Sequence, residues 1–157
     1  MLKVGDKAPD FALVDQAGNI QRLSDQLGSW VVVYFYPKDD TPGCTTEACQ
    51  FRDALPHFEG VGAKVFGISA DDQESHLAFA RKYDLNFPLL VDPELTTLKA
   101  YGAYGDKGKD GVVKMGVFRR SYLVDPSGTV ARAWDDVVPE GHAEEIRNAI
   151  QELKAAA

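Results

Sequence analysis

The two cysteines of this 157-residue chain, Cys44 and Cys49, lie five positions apart in the segment PKDDTPGCTTEAC, which begins at Pro37. Cys44 follows an apolar run and a tight loop, at a point where a helix is predicted to open. The free N–H groups and the dipole of a helix N-terminus stabilise a thiolate, which is the reactive form of cysteine. An ordinary thiol is only about 3% ionised at neutral pH. Helped by a nearby cation, Cys44 would be a reactive thiol; the alternative is a buried, inert one.

The residues before Cys44 suit a small ligand near the sulfur. Pro42 has a fixed φ and no N–H, and Gly43 lets the backbone come close to a ligand. Thr41 offers a hydroxyl that can donate to an anion or accept from a bound molecule. A plain turn before a capped helix would also account for these residue types.

Cys49 is close to Cys44 in sequence but poorly placed for a bond. In a helix, five residues rise about 7.5 Å and rotate about 140°, so the side chains diverge. A disulfide requires Cα atoms within roughly 7 Å. Either the segment is not helical, or bonding requires local unfolding of the helix. The alternative is that Cys49 is a small core residue.

Metal and cofactor chemistry is not indicated. Two cysteines at this spacing, with His57, His76 and His142 scattered along the chain, make no familiar zinc pattern. The three histidines are interpreted as non-catalytic, and no cofactor is expected.

Composition excludes several classes of protein. The net charge of −7 argues against binding nucleic acid through the phosphate backbone. The longest apolar run, Trp30 to Tyr36, is too short to span a membrane, and no secretory signal is visible. Two cysteines do not make a disulfide scaffold, which favours a reducing, cytoplasmic compartment. The length predicts a single domain over residues 1–157.

Strand and helix patterns alternate along the chain. Helices are predicted at 45–58, 74–83, 95–101 and 140–156, and strands at 11–14, 20–23, 30–36, 63–70, 87–91, 115–124 and 129–134. Residues 102–113 are predicted to form an exposed loop, and Pro56 to weaken the end of the first helix. The pattern favours an α/β fold, with a mixed central sheet flanked by helices and an N-terminal β-hairpin.

Pro37-x-x-x-Thr41-x-x-Cys44 resembles the active-site motif of the peroxiredoxins. The longer run through Glu47 and Cys49 resembles the bacterioferritin comigratory protein group, also called the Q-type peroxiredoxins. The likeness extends over nearly the whole chain and includes the opening segment VGDKAPDF and the strand RRSYLVD, which ends at Asp125.

The resemblance implies a thioredoxin-like fold and a thiol-dependent peroxidase of the atypical 2-Cys type, which reduces hydrogen peroxide and organic hydroperoxides. It implies that Cys44 is the peroxidatic cysteine and Cys49 the resolving one, joined in an intramolecular disulfide that a thioredoxin-type dithiol reduces. It also implies that Thr41 and an arginine hold the peroxide, that Pro37 limits solvent access, and that the protein acts as a monomer.

Two adjacent arginines compete for the arginine role. In the family pattern this residue lies six positions before the aspartate of the following turn, which selects Arg119 over Arg120. Consecutive strand residues point to opposite faces, so only one of the two can face the site. Glu47, one turn beyond Cys44, could orient the arginine through a charge-assisted pair; an ordinary helix-start carboxylate is the alternative.

Two rival functions use the same cysteines. A thiol–disulfide exchanger of the thioredoxin type prefers Cys-x-x-Cys, and the four intervening residues here argue against it. A non-enzymatic redox sensor would also need an oxidisable Cys44.

Overall fold

The computed structural model describes residues 1–156 and is built around a five-stranded mixed sheet. The strands are β1 (Ala12–Val14), β2 (Ile20–Arg22), β3 (Trp30–Phe35), β4 (Ala63–Ser69), β5 (Leu89–Val91), β6 (Tyr104–Asp106), β7 (Met115–Val117), β8 (Arg120–Val124) and β9 (Val130–Trp134). The helices are α1 (Pro42–Gly60), α2 (Gln73–Tyr83), α3 (Thr96–Ala100) and α4 (His142–Ala156). The strands of the five-stranded sheet lie in the order β5-β4-β3-β8-β9. β3, β4 and β5 are parallel, whereas β8 runs antiparallel to β3 and β9 antiparallel to β8.

Both faces of the central strand β3 are buried, as its continuous apolar sequence predicts. Val32 and Tyr34 point to the side covered by α1, α2 and α4. Val33 and Phe35 point to the opposite side, which α3 and the N-terminal segment cover. The predicted α/β class with helices flanking a mixed sheet is confirmed, and β1 and β2 form the predicted N-terminal hairpin.

Two predictions about residues 102–124 are wrong. The predicted loop at 102–113 contains β6, which pairs with β7 in a second small hairpin. The single strand predicted at 115–124 is broken between β7 and β8, where the N–H of Phe118 donates to the carbonyl of Ala103 and the N–H of Val137 donates to the carbonyl of Arg119. Phe118 and Arg119 lie between these two strands, which belong to different sheets.

Helix α1 is longer than predicted at both ends and continues through Pro56 to Gly60. Pro56 has no N–H, so the carbonyl of Arg52 loses its helical partner. The side-chain amide of Asn86 donates to that carbonyl at 3.3 Å. Arg52 also donates from its guanidinium to the carbonyl of Tyr83 at 2.6 Å. The cost of a proline inside the helix is therefore offset by contacts to the end of α2 and to the loop that follows it.

Candidate active site

Cys44 is the third residue of α1, and its side chain is buried under the N-terminal turn of the helix. Thr41 precedes the helix in an extended conformation, and the first helical bond runs from the N–H of Thr45 to the carbonyl of Thr41. The N–H groups of Gly43 and Cys44 precede that bond and have no acceptor within the helix. The backbone thus supplies positive dipoles beside the sulfur, as the sequence predicts.

Arg119 lies against Cys44, with its Nη2 atom 3.2 Å from Sγ. It stands at the break between β7 and β8, and its side chain is 17% exposed. Burial lowers the pKa of Arg119, but the charges of Glu47 and Cys44 outweigh it and raise the pKa above its ordinary value. The guanidinium is a permanent cation within hydrogen-bonding distance of the sulfur, which is the kind of neighbour that reactive cysteines have.

Arg120 turns away from the sulfur, so the two adjacent arginines serve different environments. Its Nε donates to Asp135 at 2.7 Å, and its Nη1 donates to the carbonyl of Gly102. The guanidinium lies 4.4 Å from the ring centre of Phe118. The structure therefore brings Arg119, and not Arg120, to Cys44.

Pro37 and Thr41 lie at the two ends of the loop that leads into α1. The Thr41 hydroxyl does not cap the helix; it donates to the carbonyl of Lys38 at 2.9 Å. That bond leaves the lone pairs of the Thr41 hydroxyl oxygen available to accept a hydrogen bond. Pro37 is half-buried and lines an open cleft together with Arg119 and Phe118.

Gly43 gives space to the arginine. A Cβ atom at this residue would lie 3.2 Å from Nη2 of Arg119 and 3.4 Å from Cγ of Pro139. The sequence predicts that Gly43 admits a small ligand; in the structure the space beside its Cα is taken by the guanidinium and by Pro139.

Glu47 is fully buried and pairs with Arg119, Nη1 to Oε1, at 2.9 Å. Its other oxygen, Oε2, has no hydrogen-bond partner within residues 1–156. Burial raises the pKa of Glu47 to about 7, against the opposing effect of the Arg119 charge. The pair fixes the guanidinium through one of its nitrogens and leaves Nη2 to face the sulfur.

The raised pKa makes the free energy of unfolding depend on pH. The folded protein holds the Glu47 proton more tightly than a carboxyl of ordinary pKa 4.5 does, so this stabilisation is full below about pH 4.5 and is lost as the pH rises through about 7. As the pH rises from about 5.5 to about 8.5, we expect the free energy of unfolding of the wild type to fall by roughly 2 kcal/mol relative to that of Glu47→Gln. The glutamine keeps an oxygen that can accept from Arg119 but carries no titratable proton. Urea unfolding of both proteins at the two pH values measures this difference.

The exposed Glu59 of the same helix provides the control for that experiment. Glu59→Gln should follow the pH dependence of the wild type. If the stabilities of Glu47→Gln and the wild type change in parallel with pH, Glu47 does not titrate in the folded protein near neutrality.

Cys49 lies in the same unbroken helix as Cys44, and both are free thiols. Cys44 is buried and Cys49 is partly exposed. The ideal helical separation of residues five apart exceeds what a disulfide allows. The helical alternative considered for this segment is therefore the one observed, and any bond between the two sulfurs requires the first turns of α1 to open.

The sequence does not predict a buried polar cluster that the structure shows at the loop between β3 and α1. Asp39 and His76 are 37 positions apart, yet Nδ1 of His76 lies 2.7 Å from Oδ2 of Asp39. The only local signal was an aspartate pair inside the loop, which indicates a turn rather than a buried charge. The other two histidines do not contact Cys44: His57 is exposed, and His142 bonds Ser121 and Glu145.

Comparisons with known proteins agree with this geometry. A family model described as the AhpC/TSA family matches residues 4–133. Peroxiredoxin Bcp of Bacillus subtilis (strain 168) is 42% identical over 153 residues, which cover 98% of this chain and 96% of that protein. Peroxiredoxin Bcp of Escherichia coli (strain K12) is 40% identical over 151 residues, covering 96% and 97% respectively. A solved structure of the Xanthomonas campestris bacterioferritin comigratory protein matches with a TM-score of 0.89 at 36% identity, over 97% of both chains.

The chain therefore belongs to the AhpC/TSA family, and its fold is the thioredoxin-like fold of the peroxiredoxins. It is a thiol-dependent peroxidase, and its two cysteines fit the atypical 2-Cys type. This function implies a hydroperoxide substrate and a thioredoxin-type reductant. Within residues 1–156, no helix has both the length and the apolar character needed to cross a bilayer.

Proposed function

We propose that Cys44 is the peroxidatic cysteine and Cys49 the resolving cysteine of this peroxidase. The observation that carries the proposal is the 3.2 Å contact between Nη2 of Arg119 and Sγ of Cys44 in the first turn of α1. A cation and free helical N–H groups around one sulfur are the environment that keeps a thiol ionised at neutral pH. Thr41, Arg119 and Pro37 complete the site as peroxide-binding and shielding residues, with Gly43 and Glu47 in support.

The first chemical step is a displacement at oxygen. The Cys44 thiolate attacks the terminal oxygen of hydrogen peroxide or an organic hydroperoxide, the S–O bond forms, and the O–O bond breaks. The departing oxygen takes up a proton and leaves as water or an alcohol, and Cys44 becomes a sulfenic acid. Arg119 stabilises the charge as it moves from sulfur to the departing oxygen, and the Thr41 hydroxyl accepts from the bound peroxide.

The second step joins the two cysteines. The Cys49 sulfur attacks the sulfenic sulfur of Cys44, the S–S bond forms, and the hydroxyl leaves as water. The first two turns of α1 must unwind for this. The apolar side chains that these turns bury are small, because Cys44 and Ala48 bury far less apolar surface than Phe51 and Phe58 further along. The small apolar area lowers the free energy of local opening, whereas the buried pair of Glu47 with Arg119, which opening must break, raises it. A thioredoxin-type dithiol then reduces the disulfide and is itself oxidised.

Mass spectrometry of the intact protein during a peroxide titration tests the sequence of steps. The wild type should lose two hydrogen atoms per chain as the internal disulfide forms. Cys49→Ser should instead gain one oxygen atom at Cys44 and stop there. A wild-type product that joins two chains would contradict the internal disulfide. A crystal structure of the disulfide form in which residues 44–49 are still helical would contradict the unwinding.

The rival thiol–disulfide exchange activity has a direct assay. Insulin reduction without peroxide would reveal it, whereas a peroxidase with this site should show little. A pure redox sensor would be oxidised once and would not turn over at low enzyme concentration.

The remaining proposals concern the setting of the enzyme. We propose that residues 1–157 form one domain that acts as a monomer in the reducing cytoplasm, without nucleic acid or membrane partners. The acidic net charge of −7 supports the absence of nucleic acid binding, and two cysteines, too few for a disulfide scaffold, suit a reducing compartment. Light scattering of the reduced and oxidised forms measures the oligomeric state.

A further inference from the structure

The loop between β3 and α1 is anchored by a buried carboxylate that the chemistry above does not use. Asp39 is 7% exposed. Its Oδ1 accepts from the Tyr36 hydroxyl at 2.6 Å, and its Oδ2 accepts from the Ser75 hydroxyl at 2.8 Å. Nδ1 of His76 lies 2.7 Å from the same Oδ2. Tyr36, which directly follows β3, and two side chains of α2 therefore contact one aspartate of the active-site loop.

The contacts of His76 specify its protons. Nε2 lies 2.8 Å from the carbonyl oxygen of Leu90, which can only accept, so Nε2 carries a proton. Nδ1 faces a carboxylate oxygen at 2.7 Å, so a second proton must lie between these two atoms; without it, two lone pairs would meet. The Tyr36 and Ser75 hydroxyls also donate to Asp39. The geometry is that of an imidazole ring that donates from both nitrogens to acceptor oxygens.

The backbone of the loop is held as well. The N–H of Asp39 donates to Oδ2 of Asp71 at 2.9 Å, and the Ser69 hydroxyl donates to the same oxygen at 2.7 Å. By residue type, Asp39, Asp71 and His76 form a group that could hold a metal ion. Both nitrogens of the imidazole, however, are already hydrogen-bonded, one to Asp39 and one to the carbonyl of Leu90. The cluster is an anchor for the loop rather than a cation site.

In sequence, this anchor lies midway between Pro37 and Thr41. Pro37 and Thr41 are each two positions from Asp39 in sequence, and the Thr41 hydroxyl is oriented by the carbonyl of Lys38, the residue next to Asp39. We propose that the Asp39–His76 ion pair is a positioning element of the active site, which fixes the Pro37–Thr41 loop and so holds the Thr41 hydroxyl in place relative to Cys44. The proposal rests on the proposed role of Thr41 in binding peroxide.

Nuclear magnetic resonance of the wild type tests the ion pair without reference to activity. With ¹⁵N-labelled histidine, both ring nitrogens of His76 should give the chemical shifts of protonated nitrogen at neutral pH. His57, which is exposed, gives the reference signal in the same spectrum. A His76 ring with only one protonated nitrogen would overturn the ion pair.

Kinetics test the positioning role. Asp39→Asn keeps the shape of the side chain but removes the charge that holds His76. We expect kcat/KM for hydrogen peroxide to fall between about tenfold and 100-fold, because a displacement of about 1 Å at a reacting group costs up to about 100-fold. The matched control is Asp40→Asn. Asp40 is the next residue, its bonds to Lys82 and the Tyr83 hydroxyl are exposed, and its φ of 57° suits asparagine. The control should remain within about twofold of the wild type.

The outcomes separate the positioning role from the peroxidase function itself. A wild-type rate for Asp39→Asn, with peroxide reduction still dependent on Cys44, would overturn the positioning role alone. If Asp39→Asn fails to fold, the cycle of Asp39→Ala, His76→Leu and the double variant replaces it. The double variant should be more stable than the less stable single variant, because removing one partner strands a buried charge. It should nevertheless still show the reduced kcat/KM; additive losses of stability, or a wild-type rate, would refute the proposal.

Discussion

Cys44→Ser is expected to reduce peroxide consumption to the uncatalysed background. A serine hydroxyl is not ionised at neutral pH and cannot carry oxygen as a sulfenic acid. The variant therefore lacks the sulfur atom that attacks the peroxide and takes its oxygen. The assay is consumption of hydrogen peroxide in the presence of thioredoxin, thioredoxin reductase and NADPH. Thermal unfolding of the variant should remain close to that of the wild type, because the two side chains are nearly equal in volume.

Cys49→Ser is the matched control for this expectation. It retains the reactive sulfur and should reduce one equivalent of peroxide per chain, but it should lose turnover linked to thioredoxin. Full turnover by Cys44→Ser would refute the assignment of the peroxidatic residue. Full turnover by Cys49→Ser would show that another thiol resolves the sulfenic acid.

Arg119→Met is expected to lower kcat/KM for peroxide by about 100-fold to 1,000-fold. Removing one preorganised donor from a site of developing charge has an effect of this size, and Nη2 of Arg119 is the cation that contacts the Cys44 sulfur. The variant should also react more slowly with an alkylating agent at about pH 6, because less of the thiol is ionised. Stopped-flow measurement of the oxidation step and the rate of alkylation check both effects.

Arg120→Met separates this electrostatic role from a general loss of positive charge. The net charge changes equally in the two variants, but Arg120 pairs with Asp135 rather than with the sulfur. We expect a change of less than about threefold in the oxidation rate. Equal losses in the two variants would contradict a specific role for Arg119.

Much of the fold follows from local patterns in the sequence. The apolar, β-branched run from Trp30 to Tyr36 predicts a strand covered on both faces, and the residues of β3 alternate between two separate cores. The break between β7 and β8 could not be predicted from residues 115–124 alone. It depends on bonds to Ala103 and Val137, which are distant in sequence.

The active site divides in the same way. The segment around Cys44 predicts a thiol in the first turn of a helix because capping and dipole effects are local. Selection of Arg119 required the family pattern, since the two arginines do not differ in local sequence. The Asp39–His76 pair could not be predicted because it joins a loop to the first turn of α2 across 37 positions, and neither residue type indicates burial.

Pro56 has a consequence for how opening spreads along α1. A helix that unwinds from its N-terminus breaks its bonds one after another, but no such bond joins Pro56 to Arg52. Arg52 is instead held by Tyr83 at the end of α2 and by Asn86 in the loop that follows. The turns that carry the cysteines can therefore open and re-form as one small cooperative unit. The amides beyond Pro56 should stay protected from hydrogen exchange until the whole protein unfolds.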